Sequence, residues 1–340
     1  QLISLDLNIC GKKIKINGDY FIQLMQNQEI IDLKNKYLKF TKLSEFNYKV
    51  KETLCDICNS KKKNLLSEKI RWGKKFGFMP IVSCGDCGYI FQKYKFDINF
   101  NRDFYAKTYR EKIFKNPLPS KTFLKDQEFR GMKLFKFLQK NFKIPNKGKI
   151  LDVGCSVGLF LKPYSKTGWD CYGNDPDKSF INFGKKKLQV KLKDEQAEDM
   201  NFEKNFFDLT IIMGSLEHCY DVNKIMKKCY YSSKRGGILV LEARGDPQSS
   251  VKNYFNHNHY RYFSLNSLEL IMLKHGFEPV LTTRYPITGS SRKGSIFCIG
   301  VKTNEKKNIR SIIDTGKKKE SLLSIQYKFR YMELLNKGKL

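Results

Sequence analysis

Residues 149–161, Lys-Ile-Leu-Asp-Val-Gly-Cys-Ser-Val-Gly-Leu-Phe-Leu, constrain the fold of this chain more than any other stretch. Ile150, Leu151 and Val153 supply a buried strand, with Asp152 at its carboxyl end. Gly154 and Gly158 flank a tight turn where backbone approaches a ligand with no Cβ in the way. The start of a helix follows. A strand–turn–helix unit of this kind places a nucleotide-like cofactor above a parallel sheet. The spacing Asp-x-Gly-x-x-x-Gly differs from the dinucleotide fingerprint Gly-x-Gly-x-x-Gly, and no Gly-Lys-Ser/Thr ending marks a P-loop.

Strands and helices alternate from there on. The pattern predicts strands over 149–153, 169–174, 207–213, 236–242, 278–284 and 295–302. Helices are predicted over 157–166, 177–187, 221–233 and 264–275. The fold class is therefore α/β, a Rossmann-like doubly wound sheet. The last two strands flank Thr288-Gly-Ser-Ser291 with no helix between, which predicts an antiparallel hairpin at the sheet edge. Upstream, Ile14–Gly18 reads as a strand ending in an Asn-Gly turn. Residues 100–145 read as helical, with Leu134, Phe135 and Leu138 at helical spacing, until Pro145-Asn-Lys-Gly148 breaks the pattern.

Cys55-Asp-Ile-Cys58 and Cys84-Gly-Asp-Cys87-Gly88 are two knuckles that each point two thiolates at one ion. Together they complete a tetrahedral Cys₄ set with no open position, the signature of structural zinc. A small N-terminal zinc-ribbon module is therefore expected ahead of the α/β domain. Cys155, Cys171, Cys219, Cys229 and Cys298 fall at apolar or turn positions and read as small core residues. Paired metal-type cysteines imply reduced thiols, so a cytoplasmic protein is expected. No apolar run reaches the ~18–20 residues of a membrane span, so no transmembrane segment is expected. The organisation read from the sequence is an unassigned extension over 1–51, the zinc ribbon over 52–99, a helical linker or lid over 100–148, the α/β domain over 149–302 and a basic tail over 303–340. Within that tail Leu322–Leu335 fits an amphipathic helix.

The net charge of +30 is unevenly placed. It amounts to +18 over residues 1–150, +5 over 151–300 and +7 over 301–340. The excess lies mostly outside the α/β domain. It fits a non-specific anionic partner, and equally a Lys- and Asn-rich composition without selection for binding.

Residues 149–161 resemble motif I of the class I S-adenosylmethionine (SAM) methyltransferases. Further segments match the same family in order, covering about residues 149–302. These are Tyr172-Gly-Asn-Asp175, Gln196-Ala-Glu-Asp-Met-Asn-Phe202, Phe206–His218, Gly236-Gly-Ile-Leu-Val-Leu-Glu242 and His259-Tyr-Arg-Tyr-Phe-Ser264 with Gly276-Phe277. The resemblance implies SAM as cofactor, with Asp152, Gly154, Cys155, Ser156 and Gly158 forming the turn beneath it. Asp175 would accept from the ribose hydroxyls or cap the next helix. Gln196 and Ala197 would read the adenine, and Met213, Gly214 and Ser215 would line the methionine part. Ser156 stands where the family usually has Gly. It serves if its φ is negative or its hydroxyl meets the cofactor carboxylate.

Cys84–Phe91, Phe104-Tyr-Ala-Lys-Thr-Tyr-Arg110 and Gln127-Glu-Phe-Arg130 resemble a subfamily with a zinc ribbon ahead of the methyltransferase domain, associated with sugar and surface-polysaccharide methylation. In that subfamily the segment holding Tyr105 and Tyr109 lies over the cofactor; at i, i+4 the two share one helical face.

If the acceptor is a hydroxyl, a base assists transfer. His218, ending the fourth strand, and His259, in the substrate-side loop, are the candidates; His257 is a weaker one. Glu217 is expected to hold backbone amides. The first expectation is methyl transfer to a small hydroxylated acceptor, a sugar or nucleotide-linked molecule. The alternatives are an RNA methyltransferase with a basic zinc module and a non-catalytic zinc scaffold. Intact Asp152, Gly154, Gly158 and Asp175 argue against the last. No Asn/Asp-Pro-Pro-Tyr/Phe motif follows the fourth strand, which argues against amino-group methylation of bases.

Overall fold

In the computed structural model the alternation after residue 149 builds one seven-stranded sheet. The structure describes residues 4–9, 12–41, 43, 47–72, 75–105, 118–244, 255, 258–292, 294–304 and 307–314. Ahead of the sheet come strands β1 (Ser4–Ile9) and β2 (Lys12–Asn17), helix α1 (Gly18–Thr41), then β3 (Val50–Glu52), β4 (Lys63–Trp72), β5 (Lys75–Cys84), β6 (Ile90–Gln92) and β7 (Tyr94–Phe96). Helices α2 (Ile98–Asp103) and α3 (Lys121–Asn141) lead into it. The sheet is made of β8 (Lys149–Val153), β9 (Asp170–Asn174), β10 (Lys191–Lys193), β11 (Phe207–Met213), β12 (Ser233–Arg244), β14 (Phe277–Thr283) and β15 (Ser295–Lys302). Its order is β10-β9-β8-β11-β12-β15-β14. The first five strands run parallel, and β15 is antiparallel to both β12 and β14. The expected edge hairpin is therefore present.

Side-chain alternation along the strands explains the two layers. Ile150, Leu209, Ile211, Ile238 and Val240 face one core, shared with Leu134 and Leu138 of α3. Leu151, Ile212, Leu239 and Leu241 face the other. There they meet Ile225 and Met226 of α6 (Val222–Ser232) and Leu268 and Ile271 of α7 (Leu265–Lys274). A sheet covered on both faces is read as near-continuous apolar strands, as this sequence is.

Three local expectations need correction. The helix expected over 157–166 is a 3₁₀ turn, Leu159–Leu161, followed by the short α4 (Lys162–Lys166). Gly158 in the left-handed region and Pro163, which has no N–H to give, leave little room for a regular start. Asn17-Gly18 does not make a turn: Gly18 opens α1 directly. That helix buries Leu33, Tyr37 and Leu38 against Phe96 and Phe100. Residues 118–120 separate two helices within the stretch read as helical. β10, with a single buried residue, Leu192, carries too little pattern to be read from sequence.

A second sheet, β13-β6-β5-β4, is antiparallel and carries the cysteines. Its strand β13 (Arg261–Tyr262) comes from between β12 and α7, so the α/β domain donates one strand to this second sheet. Cys55, Ile57, Cys84, Cys87, Tyr89 and Phe91 share one apolar core with Phe263, Leu268 and Ile271. α8 (Ile309–Asp314) closes the described chain; Leu322–Leu335 lies outside the described residues.

Candidate active site and cysteine cluster

Above the carboxyl ends of β8, β9 and β11 lies a cavity of about 600 Å³, within the range of small-molecule sites. Its floor is the turn after β8. Gly154 and Gly158 have φ of +75° and +80°. At Gly154 a Cβ would also lie 2.5 Å from the Ser215 side chain. Glycine is thus required there by both conformation and space. Gly154 and Cys155 N–H both donate to the Asn174 carbonyl at 2.9 Å, fastening the turn to the end of β9.

Ser156 has φ +55°, so of the two ways in which it could replace Gly, the negative φ is not the one present. Its N–H donates to Asp175 Oδ2 at 2.9 Å, and that bond holds the turn in this conformation. Its hydroxyl lines the cavity, is buried, and meets no partner within the described residues. The other Asp175 oxygen accepts from Asp177 N–H at 2.9 Å. Asp177, not Asp175, caps α5 (Lys178–Lys187), accepting from Ser179 and Phe180 N–H. Asp175 is left as the carboxylate between the glycine turn and the cap.

Of the residues singled out from sequence, Gly154, Ser156, Asp175, Gln196, Ala197, Met213, Gly214, Ser215, His218 and Tyr105 line this one cavity. Asp152, Cys155, Gly158 and His259 are not among its lining and stand behind it. Tyr109 and His257 lie outside the described residues. Asp152 is buried, and neither of its oxygens is hydrogen-bonded among the described residues. Burial and the Asp175 charge push its carboxyl up to about 8, against the pull of Arg130.

His218 stands at the wall, its ring 4.5 Å from that of His259 and 6.4 Å from that of Tyr105. Its Nδ1 lies 2.9 Å from the Asn258 carbonyl oxygen. A carbonyl only accepts, so the neutral ring carries its proton on Nδ1 and its lone pair on Nε2. Burial drives His218 down to about 4, with Arg292 and Arg244 adding to the fall and the Asn258 contact opposing it. The ring is therefore neutral at pH 7. Glu217 accepts from Arg244 N–H at 2.8 Å, as expected of an amide holder.

Sequence reasoning missed the arginines. Arg130 on α3, Arg244 ending β12 and Arg292 before β15 all line the cavity. Arg130 is buried and pairs with Glu242, which also accepts from Ser295 Oγ at 2.6 Å and lies 3.7 Å from Arg292. Gln127-Glu-Phe-Arg130 was the available signal for the first. Arg244 at the end of β12 and Arg292 in the loop before β15 carry no local pattern and are brought together only by the strand order.

In the ribbon, all four metal-type sulfurs lie within 4.8 Å of one another. Cys55–Cys87 and Cys58–Cys84 are 3.5 Å apart and Cys58–Cys87 3.7 Å. A tetrahedron with zinc–sulfur bonds of about 2.3 Å has edges of about 3.8 Å, so this cluster could hold one zinc ion with little movement.

A family model described as a methyltransferase domain matches residues 127–282, a little under half of the chain. The chain is 30% identical over 98 residues to a ubiquinone biosynthesis O-methyltransferase of Bradyrhizobium diazoefficiens, covering 27% of this chain and 38% of that protein. The protein of that name from Nitrobacter winogradskyi is 30% identical over 97 residues, 37% of its length. The chain thus spans well under half the length of these relatives. Among solved structures, a Burkholderia thailandensis 1,6-didemethyltoxoflavin-N1-methyltransferase with bound S-adenosylhomocysteine superposes with a TM-score of 0.48 at 14% identity, over 70% of this chain and all of that one. A putative SAM-dependent methyltransferase of Listeria monocytogenes gives 0.42 at 15%, over 51% and 99%. Sheet order, glycine turn and family match together make residues 127–282 a class I SAM-dependent methyltransferase domain.

Proposed function

We propose that this chain transfers a methyl group from SAM to a hydroxyl of a small anionic acceptor, a sugar or glycan precursor carrying a phosphate or carboxylate. The observation that carries this reading is the polarity of the cavity. Asp175 follows β9, whereas Arg244 ends β12, three strands away, and Arg292 precedes β15 beyond it. At about 4.8 Å per strand the carboxylate and the nearer guanidinium are separated by about 14 Å. A ribose diol suits the acceptor-only carboxylate. Three arginines line the opposite end, whereas the carboxylates near them, Glu242, Glu217 and Asp126, are not among the lining residues. SAM itself bears a net positive charge, so it brings no surplus anion to the face these arginines present to the cavity. An acceptor bearing an anion balances it, and planar guanidiniums bind phosphate and carboxylate bidentately.

When bound, SAM supplies a methyl group already activated on a sulfonium. The chain's share is alignment and exclusion of water. Asp175, Gln196 and Ala197 would hold the nucleoside, and Gly154, Ser156 and Met213–Ser215 the amino-acid part. His218 presents a neutral imidazole as base, with His259 behind it. The proton it accepts would be favoured by an anion beside Arg244 and Arg292, which offsets the charges that depress it. The printed names of the curated relatives, O-methyltransferases, support a hydroxyl as the atom methylated. The four cysteines would hold structural zinc. Tyr105, and Tyr109 with it, would cover the cofactor.

The test is methyl transfer from labelled SAM to separate pools of sugar nucleotides, neutral sugars and total RNA. Transfer to the anionic sugars is expected. Arg244→Gln and Arg292→Gln should each raise the acceptor KM about tenfold or more while S-adenosylhomocysteine (SAH) affinity stays within about twofold. Labelling of neutral sugars alone refutes the anionic acceptor. Labelling of RNA alone makes the chain a nucleic-acid methyltransferase.

A further inference from the structure

One buried side chain joins the cysteine cluster to the cavity wall. Arg261 of β13 is fully buried. Its Nε donates to Asp56 Oδ2 at 3.0 Å, inside the knuckle Cys55-Asp-Ile-Cys58. Its Nη1 donates to the carbonyl oxygens of Leu216 at 2.8 Å and Cys219 at 2.5 Å, and its Nη2 to that of Tyr220 at 3.2 Å. Leu216 and Cys219 bracket His218, and Ser215, His218 and Cys219 line the cavity. The knuckle is held on its far side as well. The Asp56 carbonyl accepts from Asn223 Nδ2 at 3.0 Å and Lys274 Nζ at 2.5 Å.

This is more than packing. A guanidinium stays charged and spreads its donors in a rigid plane, so four acceptors on two segments are fixed relative to one another. Lysine, a point charge, could not reproduce that fork. The carbonyls of residues 216, 219 and 220 belong to the short loop between β11 and α6. Arg261 donates to all three and to Asp56, while Lys95 Nζ also donates to the Tyr220 carbonyl at 2.8 Å and Asn101 Nδ2 to the His218 carbonyl at 3.1 Å. Asp56 in turn sits between two residues of the metal set.

We propose that the metal-filled cysteine knuckle acts through Asp56 and Arg261 to hold the 215–220 loop in the geometry that binds cofactor. Arg261 is a positioning residue, and the ribbon is part of the methyl-transfer machinery rather than a separate docking module. Linkage is reciprocal: what metal does for cofactor affinity, cofactor does for metal retention. The inference rests on the reading that the cavity takes SAM and the cysteines take zinc.

The test uses the full chain loaded with zinc, with SAH as ligand. Chelating the zinc should weaken SAH binding about tenfold or more and speed amide exchange over residues 215–220 by a similar factor, while β8 and β11 stay protected. Arg261→Met should keep one zinc per chain, show the same weakened binding and fast exchange, and shift the His218 ring signals in its NMR spectrum. In that variant zinc removal should change SAH affinity by less than about twofold, because the link is already cut. If Arg261→Met does not fold, Asp56→Ala replaces it, since it removes the acceptor of the Arg261 Nε bond and keeps all four cysteines.

Unchanged SAH affinity on zinc removal from the wild type overturns the coupling. An equal effect of zinc removal in both proteins overturns the route through Arg261. Absence of any SAH binding to the zinc-loaded wild type overturns instead the cofactor reading. The exchange and NMR measurements then still decide whether the knuckle holds the loop.

Discussion

Asp152 and Ser156 carry the sharpest consequences at the scale of single residues. A carboxyl raised to about 8 when folded, against the ordinary 3.8, binds a proton near neutral pH that the unfolded chain has released. The folded state therefore binds more protons between these values, and the ligand-free protein loses stability from this group as pH rises through 4 to 8. An SAH ammonium group bound over the turn, as proposed, would favour the ionised carboxylate. Binding at pH 7 should accordingly release protons, up to about one per chain. Calorimetry in buffers of different ionisation enthalpy reads this directly; a buffer-independent enthalpy rules it out, and Asp152→Asn should abolish the release. Ser156 combines a φ of +55° with a buried hydroxyl that has no partner among the described residues. A non-glycine residue there costs about 1 kcal/mol. Ser156→Gly should raise the unfolding free energy by about that amount, and weaken SAH binding if the hydroxyl's partner is the ligand. Urea denaturation showing no gain would mean the turn is not strained.

At the scale of elements, the strands were legible and the ribbon's attachment was not. β8, β11 and β15 keep their sequence-read bounds because fully buried strands write continuous apolar runs. The short start after Gly158 escaped because a single proline outweighs the periodicity around it. In the site, Gly154 and Asp175 were readable since local backbone demands fix them. Arg244, Arg292 and Arg261 were not, because their roles depend on strand order and on a two-residue strand, β13. That strand changes what metal loss should do. Read as a separate module, the ribbon would unfold alone on chelation. With Arg261–Tyr262 paired to Ile90–Phe91 and a shared core behind them, its loss should also expose α7. Cys84→Ser should lower zinc content well below one per chain and speed amide exchange in residues 265–274 together with the ribbon. Loss of zinc with α7 still fully protected would show the two units to be independent.

For the whole molecule the question is what the +30 charge is for. Arginine is the rarer cation, 11 of the 64 basic residues, yet three arginines line the cavity and a fourth is the buried Arg261. The rest of the charge is almost all lysine. Its hydrated point charge makes it the weaker choice for shaped recognition. Two behaviours with different salt dependence should therefore coexist. The lysine surface should bind RNA or any polyanion at low salt through counterion release, and lose about 10³-fold or more in affinity between 50 and 200 mM salt. Arg130 in the cavity wall and its partner Glu242 are buried, and screening reaches such groups poorly. SAH affinity and turnover of an anionic small acceptor should shift by only a few-fold over the same range. Among the described residues no helix is long and apolar enough to cross a membrane. Measuring RNA binding, SAH binding and methyl transfer side by side across that salt range separates the two. Methyl transfer that tracks RNA affinity down the salt series would tie the lysine surface to the acceptor and displace the small-molecule reading; transfer that persists after RNA has dissociated assigns recognition to the arginines.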